Sequence, residues 1–497
     1  MDLDQVKKRS INSFIFLSGR NALIQVIVFL GFFLLSRFLD PVEFGIYIVV
    51  SELVGILGYF SDIGLAAALI QKKKTPTITE TRATFTLQQC LVFSSVSAFL
   101  VLGPLLSTKI ASLSPLEKEL LFAFIASFVL ASLKTVPSVL LERRLKFETI
   151  ALVDLVENIL FYSVAVFFAA RGAGTRSYVW AILVRSFAGV LLIYYLSDWK
   201  PGFSFKFKKV KNLFHFGIPY QLNSLIALLK DRLSTIFVWG IVGNYGISMV
   251  GWALRWSQAP LRFVMDVVMK ITFPSFSRLQ EDPDILSRAI QKSIFFISSF
   301  VFPSLVGLCL TVPDLISIVP AYGKWLPALL PLYFMSINSL IASITTPLTN
   351  AFNATGHIKI TFRLMLFWTI LTWIFFPTLA KLFGYQGLAA AHALVALSSL
   401  LVWPLAGRLF KVQILKTVKW PILGSLSMAA LLFLINRFFP LSLLQSLFPS
   451  NSFVFYLYLI LKISLSAIFY SIIIYLTKKQ ELLWFKNTLF ATLKKQS

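Results

Sequence analysis

Cysteine, histidine and acidic residues are all scarce in this sequence. The two cysteines, Cys90 and Cys309, both lie in apolar stretches, which argues against a disulfide framework and against a thiolate metal site. The three histidines, His215, His357 and His392, are far apart, and no P-loop is present. The sequence therefore predicts neither a metal site nor a cofactor.

Charge is scarce as well. Asp, Glu, Lys and Arg make up 13% of the 497 residues, whereas about a quarter is usual in soluble domains. Hydrophobic residues reach 57%, and the mean hydropathy is +0.80. The first apolar run, 11–39, is far longer than the apolar core of a signal peptide, so we expect it to remain as a helix. These features predict an all-α integral membrane protein.

Apolar runs of roughly 20 residues, the length that crosses about 30 Å of hydrocarbon as a helix, recur along the whole chain. They predict fourteen transmembrane helices: 11–39, 44–70, 83–106, 119–141, 149–170, 177–196, 213–242, 246–274, 289–312, 326–350, 358–380, 385–407, 418–440 and 453–477. An even number of crossings places both chain ends on the same side of the membrane.

Basic residues are abundant, with 46 Lys and Arg against 21 Asp and Glu and a net charge of +25. If the N-terminus is cytoplasmic, the cytoplasmic loops and tail hold 29 of the basic residues and the outer loops hold 8. This bias is the positive-inside pattern, and it predicts that both termini are cytoplasmic. Membrane lipids are the expected partner of the basic tail, and no nucleic acid is expected.

Nine basic residues remain within the predicted helices. Each costs about 2.5 to 3.5 kcal/mol at the centre of a membrane helix even on the lenient insertion scale. We expect a structural role for two of them. Lys270 lies one turn from Asp266 and Lys462 is alone in the last predicted helix, and both are assigned to local pairing or to snorkelling toward the interface. The other seven are predicted to bind substrate: Arg20, Lys134, Arg185, Lys230, Arg232, Arg255 and Arg262.

Acidic residues at the same depth are too few to neutralise these cations. The candidates are Glu52, Asp154, Glu157, Asp231 and Asp266. A net cationic interior suits an anionic ligand, because Arg offers a fork of donors to phosphate or carboxylate and Lys a point charge. The five acids are also candidates for ion coupling. Pairing of Asp154 or Glu157 with Lys134 or Arg185 is the structural alternative.

The predicted helix 246–274 carries several of these residues on one stripe. Arg255 and Arg262 are seven residues apart and share a face, with Trp252 and Trp256 one turn apart beside them. Trp and Arg together suit a sugar phosphate, although a Trp pair is as often ordinary packing. Pro260 lies between the arginines and predicts a bend.

Two parts of the chain share one plan. In 38–71 and again in 241–280, a long helix ends in a short turn and Gly-Ile opens a second long helix that runs into a polar loop. This repeat predicts two parallel six-helix lobes related by an axis along the membrane normal. We assign the lobes to residues 1–205 and 206–412, followed by two more helices and a basic tail in 413–497.

Four stretches carry a resemblance to a known family: "LSRFLDPVEFGIYIVVSELVGILGYFSDIGLAAALIQKK" (35–73), "LLERRLKFETIALVDLVENI" (140–159), "FPSFSRLQ" (273–280) and "WLPALLPLY" (325–333). With them the sequence resembles the polysaccharide-unit (Wzx-like) flippases of the multidrug/oligosaccharidyl-lipid/polysaccharide exporter superfamily. The resemblance covers nearly the whole chain.

The resemblance implies a V-shaped pair of lobes and export of a lipid-linked oligosaccharide from the inner to the outer leaflet of the bacterial cytoplasmic membrane by alternating access. It also implies a cationic cavity for the headgroup, a groove for the lipid tail along the last two helices, and polysaccharide polymerase or export machinery as a partner. The charged run Lys230-Asp231-Arg232 departs from the polar, uncharged middle expected for the seventh helix.

Three alternatives remain at this point. A flippase for a lipid-linked peptidoglycan precursor is the closest, because it also needs cations for a diphosphate. A drug or cation antiporter would require an acidic cavity. A membrane polymerase or ligase would be expected to carry a large outer loop with an acid/base pair, and the outer loops near 107–118 and 436–452 hold none. We therefore predict a transporter and not an enzyme.

Overall fold

A computed structural model describes residues 23–62, 64–72, 74–106, 108–206, 225, 227–447 and 452–494. The regular structure of these residues is helical throughout, which confirms the predicted all-α class. The chain divides into two compact units, Met1–Ser248 and Met249–Ser497. The lobe boundaries drawn from the sequence stay a prediction.

Among its described residues, the first unit contains eight helices and the start of a ninth. They are α1 (Leu23–Phe38), α2 (Pro41–Asp62), α3 (Leu65–Gln71), α4 (Ile78–Leu106), α5 (Thr108–Ala111), α6 (Pro115–Arg143), α7 (Phe147–Ala170), α8 (Arg176–Leu196) and α9 (Ser234–Leu279). Helices α6, α7 and α8 pack on one another, and α2 packs on α4 and α6. A π-helical turn, Leu229–Leu233, leads directly into α9.

Local sequence sets where the helices begin. Helix α6 starts at Pro115, whose fixed backbone angle and missing N–H suit a first helical position. The Ser114 hydroxyl accepts a hydrogen bond from the Glu117 N–H at 3.3 Å, and the Glu117 carboxylate accepts one from the Ser114 N–H at 2.7 Å. This reciprocal capping box satisfies two N–H groups that the helix itself leaves unbonded.

The described part of the second unit contains the rest of α9 and seven further helices. They are α10 (Pro283–Ile318), α11 (Leu329–Ala354), α12 (Ile358–Ser398), α13 (Val402–Phe410), α14 (Ile414–Phe438), α15 (Leu441–Leu447) and α16 (Ser452–Lys494). A short 3₁₀ helix, Gly323–Ala328, precedes α11. Helix α10 packs on α11, α14 and α16. An apolar cluster joins α10, α14 and α16, and it consists of Phe295, Met428, Leu432, Tyr470 and Ile474.

Eleven helices in the described part of the chain are long and apolar enough to cross a membrane, and Leu23–Phe38 is a shorter apolar helix. Two of the eleven, Leu229–Leu279 and Ile358–Phe410, have 51 and 53 residues. At 1.5 Å per residue each is more than about 75 Å long, over twice the thickness of a bilayer core. Each contains a break, at Gly243 and at Gly384. The protein is thus a multi-pass membrane protein, and its fourteen crossings and its orientation stay predictions.

The two breaks depend on glycine. Gly243 has φ 67° and ψ −176°, and Gly384 has φ 60° and ψ −144°. Residues with a Cβ rarely adopt this backbone region. Both breaks lie where the sequence predicts one transmembrane helix to end and the next to begin.

We expect Gly243→Ala to destabilise the protein by about 1–3 kcal/mol, because the side chain strains this backbone conformation. Gly240→Ala is the matched control. Gly240 lies in the same helix without a positive φ, and an added Cβ there meets no heavy atom within 4 Å. Thermal unfolding of the purified protein in detergent measures both changes, and equal unfolding temperatures for the two variants would contradict this account of the break.

Candidate functional site

The charged run that interrupts the seventh predicted helix forms the π-helical turn of the first unit. Lys230, Asp231 and Arg232 occupy its three central positions. A π turn is wider than an α turn and is often found at functional sites. The hydroxyl of Ser234 donates to the Lys230 carbonyl, and the hydroxyl of Thr235 donates to the Asp231 carbonyl at 2.8 Å. These two hydroxyls thereby donate hydrogen bonds to backbone carbonyls whose usual α-helical partners are shifted in the wider turn.

Both cations of this turn have a carboxylate partner. Lys230 Nζ lies 3.2 Å from Asp231 Oδ1, and Arg232 Nη1 lies 2.9 Å from Glu52 Oε2 on α2. None of the four side chains is buried: Arg232 is 41% exposed and Glu52 29%. The cluster is therefore charge-balanced and partly exposed.

Gly55 makes room for the contact between Arg232 and Glu52. It lies one turn after Glu52 on α2, and a Cβ added there would fall 1.8 Å from Arg232 Nη1. The guanidinium therefore lies directly over the backbone at Gly55. The importance of this glycine is not evident in the sequence, because the two segments are separated by more than 170 residues.

A second set of contacts fixes the start of α9 to the first unit. Trp239 Nε1 donates to Asn244 Oδ1, and Asn244 Nδ2 donates to Glu117 Oε1, both at 2.7 Å. The Asn244 carbonyl also lies against Gly45 of α2, where an added Cβ would come within 1.9 Å. The segment that carries Arg232 thus contacts α2 at both of its ends and α6 at the Asn244 end.

Lys134 and Glu157 form an ion pair between α6 and α7, with only 19% and 12% of their side chains exposed. Gly189 of α8 leaves space for the Glu157 carboxylate, because an added Cβ would overlap it. Arg185 is half-buried and its guanidinium lies 5.2 Å from the centre of the Phe161 ring. Asp154 is half-buried on α7, one turn before Glu157. The sequence analysis gave pairing with Lys134 or Arg185 as the structural alternative to ion coupling by Glu157, and the structure contains the pair of Glu157 with Lys134.

In the second unit the predicted site residues of α9 separate into two groups. Arg255, Arg262 and Asp266 are exposed, and Arg262 Nη2 donates to Gln258 Oε1 at 2.8 Å. Trp252 and Trp256 are buried, with ring centres 5.6 Å apart.

The buried indoles belong to the core of that unit. Trp252 stacks on Trp325 at 5.3 Å with the ring planes 8° apart. Trp325 is the first residue of the "WLPALLPLY" stretch, which thus packs on α9. A ligand could therefore contact the arginines of α9 in this structure, but not its two buried indoles. Arg20, the remaining predicted site residue, lies outside the described residues.

One charged cluster was missed by the sequence analysis. Lys462 of α16 donates to Asp314 of α10 and to Asn436 of α14, and its side chain is only 1% exposed. The expectation that Lys462 pairs locally or snorkels is therefore wrong. Asp314 escaped notice because the predicted helix ended at residue 312, whereas α10 continues to Ile318.

We expect Lys462→Met to destabilise the protein by about 3–5 kcal/mol, because it leaves the Asp314 carboxylate facing an apolar side chain. The double variant Lys462→Met/Asp314→Leu should recover most of that loss, since an ion pair of this kind can often be replaced by apolar residues. Thermal unfolding in detergent is the measurement, with Lys479→Gln on the same helix as control. If the double variant is as unstable as the single one, the cluster has a role beyond charge compensation.

Among the described residues, no three His, Cys, Asp or Glu side chains come together in a way that could hold a metal ion. The clusters in the first unit instead pair Lys or Arg with single carboxylates. Such groups can exchange one anion for another, and the donors of Lys230 and Arg232 suit phosphate.

Two known proteins that are similar to this chain are named for polysaccharide biosynthesis. It is 23% identical over 343 residues to the lipopolysaccharide biosynthesis protein WzxC of Escherichia coli (strain K12), covering 68% of each chain. It is 24% identical over 281 residues to the succinoglycan biosynthesis transport protein ExoT of Rhizobium meliloti (strain 1021), covering 55% of each.

Solved structures share the fold. The lipid II flippase MurJ in an inward closed conformation matches with a TM-score of 0.67 at 18% identity, covering 91% of this chain and 98% of that one. An inward-facing MATE family multidrug resistance transporter of the MOP superfamily matches with a TM-score of 0.52 at 14% identity, covering 82% and 96%. The fold is that of the superfamily expected from the sequence. A family model described as "Polysaccharide biosynthesis protein" matches residues 34–330, well over half of the chain, and the protein belongs to that family.

Proposed function

We propose that this protein is a flippase that moves an anionic lipid-linked oligosaccharide from the inner to the outer leaflet of the bacterial cytoplasmic membrane by alternating access. The lipid carrier is undecaprenyl diphosphate, and the product feeds the synthesis of a surface polysaccharide. The observation that carries the proposal is the set of partly exposed cations on membrane helices: Lys230, Arg232, Arg255 and Arg262.

The chemistry of these cations suits a diphosphate. A guanidinium donates two parallel hydrogen bonds to phosphate oxygens, and an ammonium supplies a mobile point charge. Moving the headgroup is a binding and conformational process that breaks no bond, so the protein acts as a transporter and not as an enzyme. Arg20 and Arg185 remain predicted members of the cationic site. The ion pair of Lys134 with Glu157 and the burial of Trp252 and Trp256 favour structural roles for Lys134 and the two indoles.

The lipid tail would stay outside the headgroup site. Helix α16 presents an exposed apolar face that includes Ile468, Ile472 and Leu476. We propose that a prenyl chain lies along this face and the neighbouring transmembrane helix. Polysaccharide polymerase or export machinery would receive the product.

The closest alternative is transport of a lipid-linked peptidoglycan precursor, because the solved flippase that shares the fold is named for lipid II. The names of the sequence relatives favour polysaccharide instead. A drug or cation antiporter is disfavoured, because the exposed groups on α9 are mostly basic.

We expect Arg255→Gln, Arg262→Gln and the double variant Lys230→Gln/Arg232→Gln each to reduce delivery of the oligosaccharide to the outer leaflet at least tenfold, since a charge-assisted hydrogen bond contributes about 1.5–3 kcal/mol. Abundance in the membrane should not fall, because removing charge eases insertion. Surface polymer in a strain that lacks its own flippase is the measurement. The control is Lys478→Gln/Lys479→Gln, which also removes two charges. Normal polymer from all three site variants would refute the anionic site.

We further expect transport to continue when the membrane potential is the only driving force. The seven predicted cations outnumber the five predicted acids, so a diphosphate with roughly two negative charges makes the loaded form nearly neutral. An interior-negative potential then acts mainly on the empty, cationic form and returns it, at up to about 2.3 kcal/mol per charge and 100 mV. The alternative is ion antiport through Glu52, Asp154, Glu157, Asp231 or Asp266. The measurement collapses the proton and sodium gradients in vesicles while the potential is clamped. If flipping then stops, the acids become the coupling site.

A further inference from the structure

We propose that Glu52 acts as a resident anion: its carboxylate holds Arg232 while the site is empty, and the diphosphate of an arriving substrate displaces it. Glu52 thereby sets the affinity of the site for the diphosphate, in addition to linking α2 to the π turn. The inference rests on the proposed function and adds to it a role for an acidic residue in a site that binds an anion.

The strength of the ion pair is the first argument. Arg232 and Glu52 are 2.9 Å apart but 41% and 29% exposed, so solvent weakens their attraction. The diphosphate of a lipid-linked sugar carries roughly two negative charges, one on each phosphate, and offers more acceptor oxygens to a guanidinium than a carboxylate does. The exchange of one anion for the other at Arg232 is thus favourable, whereas the nearly buried pair of Lys134 and Glu157 is poorly accessible to a ligand.

Charge balance is the second argument. Each cation of the turn contacts one carboxylate: Lys230 contacts Asp231, and Arg232 contacts Glu52. An empty site at membrane depth needs such compensation, because an uncompensated cation there is costly. A diphosphate that binds Arg232 supplies this compensation in place of Glu52. The displaced carboxylate then repels it, which keeps the affinity low enough for release on the far side.

The backbone beside the pair is the third argument. The Arg232 guanidinium, in its contact with Glu52, lies where a Cβ of residue 55 would be. The far end of an arginine side chain moves easily, so the pair can open without displacing either helix. The remaining contacts of the segment, from Trp239 to Asn244 and from Asn244 to Glu117, do not involve Arg232.

The first experiment measures binding of farnesyl diphosphate and of inorganic pyrophosphate to the full chain in detergent, with neutral farnesol as the blank. We expect Glu52→Gln to tighten diphosphate binding about two- to fivefold, the range given by the strength of exposed ion pairs. Arg232→Gln should weaken it. In the Arg232→Gln background, Glu52→Gln should have no further effect, because the cation for which both anions compete is gone.

A second variant removes the contact without changing any charge. Gly55→Ala pushes the Arg232 guanidinium away from Glu52, and we expect it to tighten diphosphate binding as Glu52→Gln does. Gly58→Ala is its matched control: it lies one turn later on α2, and its added Cβ meets no heavy atom within 4 Å. Because the net charge is constant, a gain in affinity cannot come from a general increase in positive potential. Gly55→Ala also tests the proposal if Glu52→Gln fails to fold.

The outcomes separate the exchange from the proposed function. Tighter binding of either diphosphate probe by Glu52→Gln and Gly55→Ala, but not by Gly58→Ala, supports the exchange. Unchanged or weaker binding in both variants, while Arg232→Gln still weakens binding, overturns the exchange and leaves the proposed function intact. If neutralising Lys230, Arg232, Arg255 and Arg262 leaves diphosphate binding unchanged, the proposed function itself is wrong, and the exchange with it.

Discussion

A lysine or arginine within a membrane helix needs a counter-charge, a hydrogen-bond acceptor or water, because the cost of leaving it in hydrocarbon exceeds what one helix contact can supply. The described parts of both units meet this requirement in two ways. Lys134 with Glu157, and Lys462 with Asp314, are pairs in which most of the charge is shielded from solvent. The cations of the π turn and the arginines of α9 keep part of their surface open. The shielded pairs suit a structural role, and the partly exposed cations suit reversible binding of an anion.

Glycines allow this arrangement of charges. Gly55 and Gly189 leave the space that the Arg232 guanidinium and the Glu157 carboxylate occupy. Gly243 and Gly384 provide the breaks that divide the two longest helices. The break at Gly243 lies between the π turn and the arginines of α9. One helix thus carries cations on both sides of its break.

The sequence was sufficient to predict the class of protein and to identify many of the charged residues within its helices, because composition and helix length are properties of single segments. Contacts between distant segments could not be predicted. Nothing near Glu52 in the sequence points to Arg232, and the span ending at residue 312 hid Asp314, the partner of Lys462. The indoles of Trp252 and Trp256 illustrate a related limit: the helical spacing placed them beside the arginines, but only tertiary packing shows that they are buried against one another and Trp325.

The central claim is that the exposed cations bind the diphosphate of a lipid-linked oligosaccharide while it crosses the membrane. The most direct test reconstitutes the purified protein in proteoliposomes with a fluorescent prenyl-diphosphate oligosaccharide and with the same oligosaccharide on a neutral prenyl ether. Accessibility to a lectin or a quencher outside the vesicles reports the flipping of each lipid. The account predicts rapid flipping of the diphosphate lipid and little movement of the neutral one. Equal rates for the two lipids, or no flipping of either, would contradict it.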